Sequence, residues 1–307
     1  MRKSTSRRQL LKTIMFVPFV SAFNRFPIDE NEKVQKQGEH PLFKLSLNLY
    51  SFNSLLSNGT VDLFDMLDFC ASNNFLGIDP TGYYFPGYPE IPSDDYLYNF
   101  KRQAFLQGLD VSGTGVRNDF STPDSSRRKN DIQLVKQWIE VAAKLGSPNL
   151  RIFAGDSNYD GFSRDEVFEW MADDIRTCCE YASKFGVMIA LQNHNGFLKA
   201  ADDVDRIFNL VDSDWLGLNL DIGSYRQKDP YAEIEQNIHR AITFQIKENV
   251  WINGVETPTD LVKLFKIIKQ SAYRGYLPLE TLGEGDPYKK VSNFLAKVNI
   301  ALGQVKM

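Results

Sequence analysis

The chain has 307 residues, of which 43% are hydrophobic and 24% are charged, which is enough apolar material for one large domain. The net charge is -4, and basic residues cluster only at the extreme N-terminus and at residues 127–129. This charge balance argues against a nucleic acid partner. Three cysteines, two of them adjacent, predict buried thiols in place of a disulfide framework.

A short basic segment comes before an apolar run at the N-terminus. It contains Arg7 and Arg8 within Ser-Arg-Arg-Gln-Leu-Leu-Lys, and the apolar run extends from residue 13 to residue 23. The pattern resembles a twin-arginine export signal, and the run is too short to span a bilayer. We therefore predict a signal over 1–23, a polar linker over 24–41 and a periplasmic protein without a stable membrane span. A disordered basic tail on a cytoplasmic protein is the alternative.

From residue 42 onward, short apolar runs of strand character alternate about eight times with segments of helical periodicity. This count and the remaining length predict an α/β fold, a single-domain (β/α)8 TIM barrel over residues 42–307. A doubly wound sheet shows the same alternation, but no glycine-rich phosphate loop follows the first strand. The predicted strands are Phe43–Tyr50, Leu76–Asp79, Asp110–Gly115, Leu150–Ala154, Val187–Gln192, Leu216–Asp221, Ala241–Ile246 and Tyr276–Glu280.

The segments between the strands carry boundary signals. The stretch 81–94, rich in Tyr, Pro and Gly, predicts an elaborated loop over one mouth of the barrel. Ser163 and Glu166 form a capping box at the start of a helix that Gly186 terminates. Residues 257–260 predict the start of another helix, with Pro258 in its first turn.

Polar side chains close the last four predicted strands. They are amides and carboxylates that directly follow apolar strand residues, at positions where an unpartnered polar group is costly. In a TIM barrel the carboxyl ends of the strands form the active site. A metal ion, a substrate or the side chains themselves must therefore compensate these groups. They are Gln192, Asp221, Gln245 and Glu280, with Lys247 two residues after Gln245.

These strand ends resemble those of the xylose isomerase-like TIM barrel superfamily of sugar phosphate isomerases and epimerases, over residues 42 to about 302. The family places a glutamate, an aspartate, a histidine and a glutamate as metal ligands on the fifth to eighth strands. These positions fall on Gln192, Asp221, Gln245 and Glu280, so this chain has glutamine at two of them. The resemblance implies a divalent metal site in which oxygen ligands favour Mg²⁺ or Mn²⁺ over Zn²⁺. Loss of the metal is the alternative.

The resemblance further implies a carbohydrate isomerase or epimerase that works through a metal-stabilised enediolate. Gln192 cannot act as a base, which disfavours an epimerisation that needs two bases and leaves Glu280 as the single one. Lys247, His194 or the cation would stabilise the developing oxyanion, and Asp221 would hold the cation or pair with Lys247.

Other interpretations of the same residues stay open. Asp221 and Glu280 could be structural caps, Lys247 a member of an ion pair and His194 a surface residue. A lyase or hydratase acting on 3-keto sugars or glycosides is one functional alternative, and an inactive sugar-binding relative is another. A relative of the apurinic endonucleases would need a histidine-rich zinc site and a basic groove, whereas this chain has three histidines.

A pocket for a small carbohydrate needs aromatic faces and a few hydrogen-bonding side chains. We expect them in the segments that end or follow the predicted strands. An extracytoplasmic location favours free sugars, oxidised glycosides or oligosaccharide fragments over sugar phosphates. The sequence does not indicate an oligomeric state. The predicted substrate-binding residues are Asn48, Tyr50, Tyr83, Arg117, Arg151, Asn193, Tyr225 and Trp251.

Overall fold

The structure, a computed structural model, describes residues 43–156, 158–194 and 196–305. The predicted signal segment 1–23 and linker 24–41 lie outside the described residues and stay predictions. All strands except β9 and β10 belong to one parallel sheet. The strands are β1 (Lys44–Asn48), β2 (Gly77–Asp79), β3 (Asp110–Val111), β4 (Thr114–Gly115), β5 (Asn149–Phe153), β6 (Met188–Gln192), β7 (Leu216–Asp221), β8 (Ala241–Lys247), β9 (Asn249–Ile252), β10 (Val255–Pro258) and β11 (Tyr276–Glu280).

Helices follow the barrel strands. They are α1 (Asn53–Ser57), α2 (Leu63–Ser72), α3 (Asp94–Leu106), α4 (Ser125–Leu145), α5 (Arg164–Ala182), α6 (Ala201–Val211), α7 (Pro230–Asn237), α8 (Leu261–Gln270) and α9 (Pro287–Gln304). Within the described residues, no helix is long and apolar enough to cross a membrane.

The sheet closes into a barrel through a broken third strand. Its order is β3-β2-β1-β11-β8-β7-β6-β5-β4, so β3 and β4 lie at opposite ends. Only two residues of the chain separate β3 from β4, and Thr81 bridges Gly115 across the seam. The two short pieces are therefore halves of one barrel strand, and the (β/α)8 TIM barrel predicted from the alternation is confirmed.

Side chains alternate between the two faces of each barrel strand. In β7, Leu218 and Leu220 join the hydrophobic core, whereas Asn219 and Asp221 hydrogen-bond to polar side chains of other strands. The barrel interior is consequently polar towards its carboxyl end. The other polar side chains in this layer are Asn48, Asp79, Arg151, Gln192, Gln245 and Glu280.

The helix signals around α5 are confirmed. The Ser163 hydroxyl accepts from the Glu166 amide at 3.2 Å, and the Glu166 carboxylate accepts from the Ser163 amide at 2.8 Å. Gly186, with φ of +67°, ends the short 3₁₀ turn that extends α5. The cysteines are free and buried, as predicted.

The prediction for Pro258 is wrong. Pro258 ends β10, which pairs antiparallel with β9. Helix α8 begins at Leu261, and the side chain of the preceding Asp260 accepts a hydrogen bond from the Lys263 amide at 2.9 Å. The turn of this hairpin is Asn253-Gly254, with φ of +51° and +76°. Two residues of positive φ suit a tight hairpin, and Asn-Gly is the pair that adopts them most readily. This local signal therefore outweighs the helix-start pattern of residues 257–260.

Candidate active site

A cavity of about 330 Å³ opens at the carboxyl ends of the barrel strands, a size at the lower end of the range for small-molecule sites. Most of the predicted site residues line it. These are Asn48, Tyr50, Tyr83, Arg117, Arg151, Gln192, His194, Gln245, Lys247 and Glu280.

Three charged side chains at the ends of β7, β8 and β11 form a group that we call the lysine cluster: Asp221, Lys247 and Glu280. Lys247 Nζ lies 2.8 Å from Asp221 Oδ2 and 3.2 Å from Glu280 Oε2. The Asp221 side chain is fully buried, the Glu280 side chain is 4% exposed and the Lys247 side chain is 15% exposed. One ammonium thus serves two carboxylates, which leaves the cluster with one excess negative charge when all three groups are ionised.

The backbone around Asp221 fixes the position of its carboxylate. The Asn193 side chain donates to the Asp221 carbonyl at 3.0 Å and accepts from the Asp221 amide at 2.7 Å. The Gly223 amide donates to Asp221 Oδ1 at 2.9 Å. Since both contacts of Asn193 engage the main chain, this residue holds the end of β7 against the end of β6.

The shared ammonium and burial act in opposite directions on the pKa values of the cluster. Burial alone would raise the pKa of Asp221, but the charge and hydrogen bond of Lys247 outweigh it and lower that pKa. For Glu280, burial outweighs the opposing effect of Lys247, and the negative charge of Asp221 adds to it, so the pKa is raised. Burial disfavours the ammonium of Lys247, yet the two carboxylates raise its pKa. Glu280 is therefore the more basic carboxylate.

A second buried group, the arginine cluster, consists of Arg151, Asp79, Thr81 and Asn48. Arg151 donates to Asp79 Oδ2 at 2.8 Å and to Thr81 Oγ1 at 3.0 Å, and Asn48 donates to Asp79 Oδ2 at 2.7 Å. One cation here faces one carboxylate, both nearly excluded from water. Arg151 and Asn48 line the cavity, but their bonds to Asp79 tie β5, β1 and β2 together.

The two glutamines do not reproduce a set of metal ligands. Gln192 Nε2 donates to Asp221 Oδ2 at 2.8 Å; a carboxylate only accepts, so the amide nitrogen must face it. Gln245 Oε1 accepts from Asn219 Nδ2 at 3.1 Å. In the described part of the chain, no three His, Cys, Asp or Glu side chains are grouped to hold a metal ion. As they are paired here, these side chains do not present a complete ligand set for a divalent cation, although Gln192 Oε1 and Glu280 Oε2 are buried without hydrogen-bond partners among the described residues. The predicted metal is not confirmed.

His194 stands on the cavity wall, where its ring packs edge-on against Phe153 with centroids 5.2 Å apart. Although the ring is exposed, partial desolvation in the cavity lowers its pKa. The imidazole is thus neutral at pH 7 and can donate or accept one hydrogen bond.

Three predicted substrate-binding residues are not among those that line the cavity. Tyr225 is fully buried and its hydroxyl donates to Asn237 at 2.6 Å. The side-chain oxygen and nitrogen of Asn193 both hydrogen-bond to the backbone of Asp221. Trp251 lies in the β9–β10 hairpin under the guanidinium of Arg226, 4.4 Å from the ring centroid. The structure therefore does not support direct substrate contacts for Asn193 and Tyr225. Trp251 does not line the cavity itself but packs against Arg226, which does.

Several cavity residues were missed by sequence reasoning. Arg226 is the most informative, because Trp251 orients it and its Nε is buried without a hydrogen-bond partner among the described residues. The aromatic side chain of the neighbouring Tyr225 favours a prediction of substrate contact. In the structure, however, Tyr225 is buried, whereas Arg226 lines the cavity. The other missed residues that line the cavity include Asn118, Gly155, Ser224 and Leu282.

Comparison with known proteins places this geometry in a family. Residues 67–298 match the family described as xylose isomerase-like TIM barrel. No curated protein matches the chain. Among solved structures, D-psicose 3-epimerase with D-tagatose from Clostridium cellulolyticum H10 is 16% identical with a TM-score of 0.69, over 86% of this chain and 98% of that chain.

Two further solved structures share the fold. The probable 3-DHS dehydratase AsbF of Bacillus anthracis is 17% identical with a TM-score of 0.66, over 84% of this chain and 99% of that chain. An IolI protein with a bound zinc atom is 17% identical with a TM-score of 0.68, over 86% and 98%. Identities this low carry the fold alone, whereas the family match covers most of the chain. The chain belongs to the xylose isomerase-like TIM barrel family.

Proposed function

We propose that the chain is an enzyme that moves a proton next to the carbonyl group of a small carbohydrate, with Glu280 as the base. The observation that carries the proposal is the state of Glu280: a nearly buried carboxylate of raised pKa that lines the cavity beside a cation. General bases in enzymes are tuned upward by burial in this way.

The proposed reaction transfers a proton between two neighbouring carbons of the substrate. Glu280 removes a proton from the carbon beside the carbonyl, the C–H electron pair forms a C=C bond and the carbonyl electron pair moves onto oxygen. Lys247, next to Glu280, donates a hydrogen bond to that oxygen. The neutral imidazole of His194 takes the proton from the neighbouring hydroxyl and delivers a proton to the former carbonyl oxygen, so the hydroxyl carbon becomes the new carbonyl. Protonated Glu280 then returns its proton to the former carbonyl carbon, which completes an isomerisation.

A single base supports isomerisation or elimination better than a two-base epimerisation. Gln192 lines the cavity but cannot ionise, and its Oε1 is buried without a partner among the described residues. This amide oxygen is suited to accept a hydrogen bond from a sugar hydroxyl. Gln192 is thus proposed to bind the substrate.

The second candidate function is a lyase acting on a 3-keto sugar or glycoside. The absence of a second base at Gln192 favours it as well, because one carboxyl group can take the proton from carbon and deliver it to the departing oxygen. Water or an alcohol then leaves and the C=C bond remains. The fold match to a probable dehydratase is compatible with this chemistry.

Proton NMR in D₂O tests the proposal and separates its two forms. Purified protein is incubated with a panel of free aldoses, ketoses and 3-keto glycosides. Isomerisation is expected to give the isomeric sugar, with deuterium at one carbon to the extent that protonated Glu280 exchanges with D₂O before it returns the proton, and elimination a product that has lost water or an alcohol. Glu280→Gln is the control that should do neither. Saturable sugar binding without exchange or product would contradict an enzyme and support the sugar-binding relative.

The compartment remains a separate proposal. The twin-arginine pattern at residues 6–12 supports export to the periplasm, and free or oxidised sugars suit that location. Fractionation of cells that express the full chain tests this. Replacement of Arg7 and Arg8 by lysine is expected to keep the protein in the cytoplasm, and an unchanged distribution would contradict the signal.

A further inference from the structure

We propose that the Lys247 ammonium takes the place of a divalent cation in this barrel, so that the enzyme of the proposed function works without a metal. The inference rests on that function for its catalytic part only. Its structural part, that the site excludes divalent ions, stands on the contacts of the lysine cluster.

The position of Lys247 is that of a bridging cation. Its Nζ lies between Asp221 Oδ2 at 2.8 Å and Glu280 Oε2 at 3.2 Å, the two carboxylates that the chain retains at the family ligand positions. Lys247 donates a hydrogen bond to Asp221, whereas its contact with Glu280 is an ion pair in which Glu280 Oε2 has no hydrogen-bond partner among the described residues. Lys247 has three N–H donors and also lines the cavity, so a donor is available to a substrate oxygen.

Both carboxylate oxygens of Asp221 are already engaged in hydrogen bonds. Its Oδ1 accepts from the Gly223 amide, and its Oδ2 accepts from both Gln192 and Lys247. A divalent ion would have to displace the ammonium and turn the Gln192 amide around inside a buried layer. Both changes break charge-assisted bonds of a fully buried carboxylate, which is costly.

The loop after β7 is shaped around the lysine stem. A Cβ added to Gly223 would lie 2.8 Å from Lys247 Cδ, closer than side-chain carbons approach one another. Glycine at this position lets the chain cross directly over the lysine. The position of the ammonium is thus restricted by its ion pairs with β7 and β11 and by the loop that packs on the lysine stem.

The glutamines match an internal ammonium better than a metal. With Lys247 present, a glutamate at 192 would add a second excess negative charge to the buried cluster, and Gln192 avoids this while donating to Asp221. Gln245 is occupied by Asn219 at 3.1 Å and supplies no nitrogen ligand. Both departures from the family pattern are thus compatible with a cation supplied by the chain itself.

Metal binding by the full chain tests the inference independently of turnover. Chelator-treated protein is titrated with Mn²⁺, Mg²⁺ and Zn²⁺ and followed by elemental analysis after dialysis and by thermal unfolding. The wild type is expected to keep no ion and to show no rise in Tm. The variant Gln192→Glu, Gln245→His, Lys247→Ala, which recreates the family ligand set, is expected to keep one ion per chain and to gain Tm.

Lys247→Met serves if the triple variant does not fold, since it frees two carboxylates and should gain Tm with Mn²⁺ while the wild type does not. One stoichiometric ion in the wild type that Asp221→Ala removes would overturn the inference. So would a wild-type activity on carbohydrate that a chelator abolishes, although the proposed function would then survive. If no carbohydrate reacts and the wild type still excludes metals, the proposed function fails and the exclusion stands.

Discussion

The lysine cluster and the arginine cluster sit at the same barrel mouth but are built differently. Arg151 faces one carboxylate and fixes three strands, with charges in balance. Lys247 faces two carboxylates, and burial together with the negative charge of Asp221 raises the pKa of Glu280. A balanced pair stabilises a fold, whereas an unbalanced one leaves a group that takes up a proton readily. The proposed base therefore belongs to the unbalanced cluster, in the second half of the barrel.

The largest expected effects come from removing either cation. Arg151→Met leaves one buried carboxylate without its cation and Lys247→Met leaves two; breaking a buried pair in this way typically costs about 3–5 kcal/mol of unfolding free energy. Urea denaturation at pH 7 measures this loss. A loss below about 1 kcal/mol for one variant would mean that the corresponding cation does not hold its cluster, because exposed pairs contribute that little.

Neutralising one carboxylate in each cluster separates chemistry from stability. Glu280→Gln should slow turnover by roughly 10²–10⁴-fold, the usual contribution of a general base, with little loss of unfolding free energy because Asp221 still pairs with Lys247. Asp79→Asn, the matched control, should lower the stability because it leaves Arg151 unpaired. Equal losses of stability in the two variants would break the distinction between the clusters.

The pH dependence of stability sharpens the same distinction. Since the pKa of Glu280 is raised in the folded state, the folded chain holds this proton more tightly than the unfolded chain, whose pKa is about 4.3. Wild-type stability should therefore fall as the pH rises from that value through the folded pKa. Glu280→Gln lacks this loss, so its unfolding free energy relative to wild type should increase between pH 4 and pH 7. A constant difference would argue against the raised pKa.

The smallest effect is expected at the cavity wall, outside both clusters. Arg226→Ala removes a cation that stacks on Trp251 and whose Nε has no hydrogen-bond partner among the described residues. Stability should change by no more than about 0.5 kcal/mol, as for other surface substitutions. KM for the substrate found in the NMR panel should rise while kcat is retained. An unchanged KM would exclude Arg226 from substrate binding.

Much of this architecture was predictable because it is local in the chain. Alternation of strand and helix periods gives eight barrel strands, and the rule that sites lie at strand carboxyl ends leads to Gln192, Asp221, Lys247 and Glu280. The Asn253-Gly254 turn is equally local, and it outweighs the helix-start pattern that follows it. Both examples rest on residues that interact with near neighbours in sequence.

The sequence alone determined the barrel and the identity of the polar strand ends, because these follow from periodicity and from residue type. Only the tertiary structure decided how those ends pair. Lys247 donates a hydrogen bond to the Asp221 carboxylate, 26 positions away in the chain, and the Asn193 side chain hydrogen-bonds to the Asp221 backbone, 28 positions away. Such bonds depend on the register of neighbouring strands, which no local pattern encodes. The same register places Glu280 beside a lysine that already pairs with Asp221. The tertiary structure also buries Tyr225, whereas Arg226 lines the cavity.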